Sequence, residues 1–327
     1  MMSINSIGVD AMSESKVHFP SVYVLLHLLI AVTAGAADLE IQGGEPVPPM
    51  ANGLYDSEEG QNTKKLVQAA LLPGPDGVEA LRRIVNSGVS VDSQARDGST
   101  ALTFFAVRND KVDVVRELIA LGADVNHCSV AEPPALSRAV SAGAYDVAVE
   151  LLNAKASVKL TSLGIGEPLH YACGNVCSAI YPDVERRSNA KCIDLLIRHG
   201  ADIRALCPQR RSCLHHAVLY GNEETVAHLL KTYGAKFDLN ARDKHGQTPL
   251  MSLLTPPIIG VPRNKMKDRE MVAIASELLR YGADPYLTDP TRKASCFDAF
   301  TAANRWGSEV IDVVNQYRNG RVDPPVQ

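Results

Sequence analysis

No stretch of this chain concentrates charge of one sign. Its 33 Lys and Arg and 37 Asp and Glu leave a formal net charge of -4, with the basic residues scattered. Nucleic-acid backbones are held by a clustered basic face, so no nucleic-acid partner is expected. Cysteine is absent before Cys128. The seven present, Cys128, Cys173, Cys177, Cys192, Cys207, Cys213 and Cys296, are odd in number and irregular in spacing. That argues against a disulfide framework and fits a reducing compartment. The chain also lacks a Gly-Lys-(Ser/Thr) phosphate loop, a His-Glu-x-x-His pair and a nucleophile elbow.

Long apolar runs are scarce as well. The main one is residues 22–37, VYVLLHLLIAVTAGAA. Three readings compete. As a signal peptide it has suitable length and small residues at its end, but Asp10 and Glu14 precede it against Lys16 alone. As a membrane anchor, the uncharged stretch 19–37 is marginal against the roughly 20 residues a bilayer needs. As a repeat remnant or atypical cap, Ala31-Val32-Thr33-Ala34-Gly35-Ala36 matches Ala139-Val140-Ser141-Ala142-Gly143-Ala144 further along. The last reading leads, although Leu39 onward does not supply the second helix it needs. Residues 43–62, with prolines, glycines and few apolar side chains, read as a linker.

What the chain does have is a motif that recurs every 33 to 34 residues. One copy reads Asp243-Lys244-His245-Gly246-Gln247-Thr248-Pro249-Leu250, followed by a helix that ends Leu278-Leu279-Arg280-Tyr281-Gly282-Ala283-Asp284. Such a period marks a solenoid whose units bury their apolar faces only against neighbours. Leu102, Phe105 and Ala106, then Val112, Val115, Leu118 and Ile119, give the second unit two apolar helix faces. Thr100 can cap the first of these helices and Gly122 can end the second. In the third unit Lys155-Ala156 replaces Gly-Ala, which predicts a strained or differently shaped helix end. A degenerate seventh unit, with Cys296, Phe297, Ala299 and Phe300, suits a terminal cap. Two inserts, near residues 174–188 and 255–268, break the period between the two helices of a unit. They read as tolerated surface insertions, with a docking loop as the alternative for the second.

These motifs, Asp-x-x-Gly-x-Thr-Pro-Leu, Leu-His-x-Ala and Leu-Leu-x-x-Gly-Ala-Asp, resemble those of ankyrin repeats over residues 64–317. The match is specific in units two, four, five and six, and looser elsewhere; Thr103, Ser137 and Met251 replace the Leu-His histidine. The resemblance implies an all-α repeat solenoid of about six to seven units with short β-hairpin fingers, an inner row of helices and a concave binding surface. It assigns His170 and His215 to hydrogen bonds between neighbouring fingers. Residues 1–63 are then an N-terminal segment and 318–327 a short tail.

This arrangement predicts a non-catalytic module that binds a protein partner through finger tips and inner helices. The candidate contacts are Arg96, Asp97, Phe104, Tyr171, Gln209, Arg210, Arg211, Lys244 and His245. Aromatic and Arg residues are favoured anchors. No cofactor is expected, the chain is expected to be monomeric by itself, and a cytoplasmic or nuclear location leads over secretion. The alternatives are a secreted or membrane-associated recognition protein and a metal-binding protein or enzyme built on His170, Cys173, Cys177 and Cys192. Cys-x3-Cys is a poor spacing for zinc. Cys177 is the expected exposed thiol.

Overall fold

The computed structural model describes residues 53–129, 132–162, 165–174, 189–220, 223–253, 268–289, 294–295 and 315. The apolar run 22–37, nearly all of both inserts, Cys177 and the helices expected of the seventh unit lie outside these residues.

Twelve α-helices of the described residues form two layers. The inner layer is α1 (Glu58–Ala70), α3 (Ala101–Phe105), α5 (Ala135–Ser141), α7 (Pro168–Gly174), α9 (Cys213–Leu219) and α11 (Pro249–Ser252). The outer layer is α2 (Pro75–Asn86), α4 (Val112–Ala120), α6 (Tyr145–Asn153), α8 (Ala190–Arg198), α10 (Glu223–Tyr233) and α12 (Asp268–Arg280). In the first five pairs each helix packs on its own partner, and along both layers each helix packs on the same-layer helices before and after it. One apolar cluster therefore runs from Leu66 to Ala283. In the chain order, residues 175–188 separate α7 from α8 and residues 254–267 separate α11 from α12.

Local chemistry sets the helix ends. Thr100, Ser212 and Thr248 each form a capping box with the residue three positions on. Outer helices α4, α8 and α12 end at a left-handed residue, Gly122 (φ 93), Gly200 (φ 93) and Gly282 (φ 100). Lys155 adopts the same conformation, φ 68, and its N–H reaches Leu152 O at 3.0 Å as Gly122 reaches Ile119 O. The helix end thus keeps its shape and Lys155 bears the strain. The first helix starts at Glu58, inside the expected linker. Ser57 Oγ accepts the Gly60 N–H at 3.0 Å, and Glu58 and Glu59 favour the positive helix terminus. Gly60 permits this turn, since a Cβ there would lie 2.8 Å from Tyr55 Cα.

The expected β-hairpin fingers are not formed between these units. Each connecting loop is a pair of turns. In three of these loops the tip closes with two backbone bonds around one tight turn: Ala95 N–H to Ser99 O with Gly98 N–H to Ala95 O, Cys207 N–H to Arg211 O with Arg210 N–H to Cys207 O, and Asp243 N–H to Gln247 O with Gly246 N–H to Asp243 O. Further along each loop, N–H groups that a strand ladder would use go to side chains: Ser99 to Asp97, Asn126 to Asp124, Arg204 to Asp202 and Asn240 to Asp238, at 2.9 Å each. Among the described residues, the named strands are the two-residue pair β1 (Thr288–Asp289) and β2 (Ala294–Ser295), beyond the sixth unit.

Candidate protein-binding surface

The loop tips are bound to one another before any partner arrives. Asp124 N–H donates to Asp92 Oδ1 at 3.0 Å, Ser157 N–H to Asn126 Oδ1 at 2.8 Å and Asp284 N–H to Asn240 Oδ1 at 2.8 Å. One acceptor side chain therefore serves the next loop. Lys159 and Arg204 hold this place in units three and four, and neither side chain can accept a hydrogen bond. A second set of ties uses histidine. His170 Nε2 donates to Ala205 O at 3.1 Å while Nδ1 accepts from Glu167 N–H, and His215 Nε2 donates to Gln247 O at 3.1 Å. Where Thr103 stands instead, the tie comes from the other side: His127 Nε2 donates to Gly98 O at 3.0 Å and Ser129 Oγ to Asp97 O at 3.0 Å.

These bonds fix the candidate contacts unequally. Arg96 is exposed, and its backbone N–H is held by Leu54 O at 3.0 Å. Asp97 is half-buried and accepts from Ser99 Oγ at 2.7 Å. Phe104 is half-buried and meets Phe105 edge-on, with ring centroids 5.1 Å apart. Gln209 is half-buried, and its carbonyl accepts the Lys244 N–H at 2.8 Å, so these two tips abut. Arg210, Lys244 and His245 are exposed. Arg96 and Asp97 belong to a separate tip, near the start of the array.

Two candidates serve the interior. Tyr171 is 1% exposed, and its hydroxyl lies 2.9 Å from Ser162 Oγ. Arg211 is 8% exposed, and its Nε donates to Asp243 Oδ2 at 3.0 Å. Asp243 also accepts from His245 N–H and Gln247 N–H, so this ion pair organises the tip from below. Glu132 and Arg138 form a second buried ion pair, which the apolar helix pattern concealed. Arg138, Tyr171 and His216 occupy matching places on α5, α7 and α9, and all three are buried.

His216 is 4% exposed, and neither ring nitrogen has a hydrogen-bond partner among the described residues. Its ring meets His170 at 5.3 Å and stacks with Tyr220 at 6.4 Å. Burial, and then the charges of His170, Arg211 and His215, hold its pKa well below that of a free histidine. Among the described residues no group of three or more His, Cys, Asp or Glu side chains is placed to hold a metal ion. Burial raises the Cys173 and Cys207 thiols and pushes Cys192 up to about 12, so each stays protonated near neutral pH. Cys128 is exposed.

The outer face is different. Arg82 holds Glu117 through two bonds of 2.6 and 2.7 Å, and Arg116 holds Glu150 at 2.7 Å. Further along, Asp194 accepts from His228 at 2.9 Å and from Tyr233 at 2.7 Å. Burial and Asp194 push the Tyr233 hydroxyl up to about 12. The sequence signal for these pairs is opposite charges about 34 residues apart, on successive outer helices. Among the described residues, no helix is long and apolar enough to cross a membrane.

Comparison with known proteins agrees with this geometry. Residues 66–162 and 183–254 match the family model described as ankyrin repeats in three copies. The chain is 28% identical over 194 residues to inversin of Canis lupus familiaris, covering 58% of this chain and 16% of that protein. It is also 28% identical over 197 residues to the human SH3 and multiple ankyrin repeat domains protein 2, covering 60% of this chain and 10% of that protein. The chain thus spans a sixth or less of these relatives. The human ASB11 ankyrin repeat domain shares the fold, with a TM-score of 0.54 and 19% identity over 77% of this chain and 96% of that one. With the repeat motifs, the stacked helix pairs and a family model that matches more than half of its length, the chain belongs to the ankyrin-repeat family.

Proposed function

We propose that this chain is a non-catalytic scaffold that holds a protein partner across its loop tips, with Phe104 of α3 beside them. The observation that supports this reading most is the cross-unit bonding of the tips. Asp92, Asn126, His170, His215 and Asn240 immobilise the loop backbone, while Arg96, Arg210, Lys244 and His245 point outward. A surface ordered beforehand loses little conformational entropy on docking. Gln209, Asp97 and Phe104 are half-buried and supply the floor beside these side chains. The partner is an unidentified protein and no cofactor takes part. A cytoplasmic or nuclear setting belongs to the same reading, and the five free cysteines of the described residues support it.

Photo-crosslinking in cells tests this. A photoreactive residue replaces His245 in one variant and Arg83, on the outer row, in another. Capture of a protein at position 245 and none at 83 is expected. No capture at 245, or equal capture at both, overturns the reading.

A further inference from the structure

Charge divides the loop tips along the array. The first two, residues 88–99 and 122–132, carry Asp92, Asp97, Asp124 and Glu132 against Arg96 alone. Two later tips, residues 201–211 and 235–247, carry Arg204, Arg210, Arg211, Lys236, Arg242 and Lys244 against Asp202, Asp238 and Asp243. The chain as a whole is acidic, so this basic pair of tips is a local departure.

Among the described residues three of these cations have no ion-pair partner, whereas Arg211 holds Asp243 and Arg242 bonds the Gly246 and Thr288 carbonyls. Arg204, Arg210 and Lys244 are exposed, and none forms an ion pair among the described residues. On the outer helices, by contrast, Arg82, Arg116 and Arg280 each hold a carboxylate. Lone cations are free to meet a charge brought by another molecule.

Arg210 carries a further mark. Its φ is 58, the left-handed region, at the place where neighbouring tips use Gly98 (φ 83) and Gly246 (φ 77). Glycine would make the same turn without the steric penalty of a side chain. The tip therefore holds a guanidinium at its crest at a conformational cost. The bond from Lys244 N–H to Gln209 O, 2.8 Å, fixes this crest beside the next tip. Leu206, on the same tip, is 53% exposed and supplies an apolar contact among the cations.

We infer that the tips at residues 201–211 and 235–247 dock an acidic, extended segment of a partner protein. Its carboxylates pair with Arg210 and Lys244, and an apolar side chain between them covers Leu206. The inference rests on the proposed scaffold function and adds the chemistry of the partner. Charge-assisted bonds from a guanidinium to a carboxylate give both energy and direction. A nucleic-acid backbone is a poorer match. It presents a charge about every 1.7 Å along a duplex, whereas Asp202 and Asp238 interrupt this basic edge.

Fluorescence anisotropy with the full chain tests the inference. The probe is a labelled short peptide alternating glutamate with leucine; its control replaces each glutamate by glutamine. The glutamate peptide is expected to bind at least about tenfold more tightly, with the advantage lost in high salt. Arg210→Gly keeps the turn and is expected to weaken this binding about fivefold or more. Lys244→Gln acts alike, and Arg82→Gln on the outer row has no effect. Equal binding of both peptides, an Arg210→Gly variant that binds as the parent does, or an equal loss in Arg82→Gln overturns it. So does a duplex oligonucleotide that displaces the peptide and binds more tightly. Should position 245 capture a protein in cells while the glutamate peptide fails to bind, the acidic partner falls and the scaffold stands. Should both fail, both fall.

Discussion

His215 Nε2 donates to Gln247 O at 3.1 Å and so joins the start of α9 to the loop of the next unit. Its other nitrogen accepts from Ser212 N–H at 3.2 Å, which places the proton on Nε2. One side chain thus closes its own cap and ties two units. His215→Ala is expected to cost about 2 kcal/mol, the lost bonds leaving buried polar groups unpaired. Thr103→Ala should cost less, about 1 kcal/mol, because its hydroxyl bonds the Thr100 N–H and carbonyl within its own cap. Urea denaturation of both variants checks the order; equal losses would remove the cross-unit role.

Acid should weaken this region. Burial lowers the pKa of His170, that of His215 to about 4, and that of His216 well below the free value. The folded chain therefore holds these rings neutral while the unfolded chain takes up protons below about pH 6.5. Stability is full above that pH and falls below it as pH drops towards each folded pKa; for His215 the loss runs from about 6.5 to about 4, by up to about 1.4 kcal/mol per pH unit. Unfolding free energies measured across this range should show the slope. His216→Phe, which leaves no buried nitrogen without a partner, should make it shallower.

Removing Arg211 strands a carboxylate. Asp243 keeps its two backbone donors but loses its countercharge in a buried site. Arg211→Met is expected to cost about 3 kcal/mol or more. Thermal unfolding checks the total, and faster amide exchange at residues 243–247 would locate it. A variant as stable as the parent would show that the pair contributes nothing.

Lys155→Gly should stabilise the chain by about 0.5–1 kcal/mol, because the left-handed turn after α6 would no longer carry a Cβ. The reverse change at the matching place, Gly122→Ala, should cost about 1 kcal/mol. A Cβ at Gly122 would meet nothing within 4 Å, so the backbone angle alone sets that cost. Gly98→Ala should be worse, since its Cβ would fall 2.4 Å from the Ser129 side chain that bonds Asp97 O. Chemical denaturation of the three variants gives the ranking.

Much of the fold was legible along the chain. The capping residues Thr100, Ser212 and Thr248 mark helix starts, and each opens a helix. The apolar positions of the second unit were legible too: Leu102, Phe105, Val115 and Leu118 are buried. The loops were harder. A pattern such as Asp-x-x-Gly marks a turn, but whether a loop also forms strands depends on where each N–H finds its acceptor. In these loops Asp97, Asp124, Asp202 and Asp238 take N–H groups that a ladder would need.

The candidate surface divides in the same way. Residue type and position along the motif mark Arg96, Arg210, Lys244 and His245 as tip residues, and they are exposed. The same pattern places Tyr171 and Arg211 beside them, but packing turns Tyr171 to Ser162 and Arg211 to Asp243. By itself the sequence determined the period, the helix pairs and the positions of the turns, because these follow from local apolar spacing and from glycine and capping residues. Only the tertiary structure decided which of these side chains are spent on the fold itself and which stay exposed. That choice depends on hydrogen bonds and burial across the packed units, from nine positions apart for Tyr171 and Ser162 to 32 for Arg211 and Asp243, which no local pattern encodes.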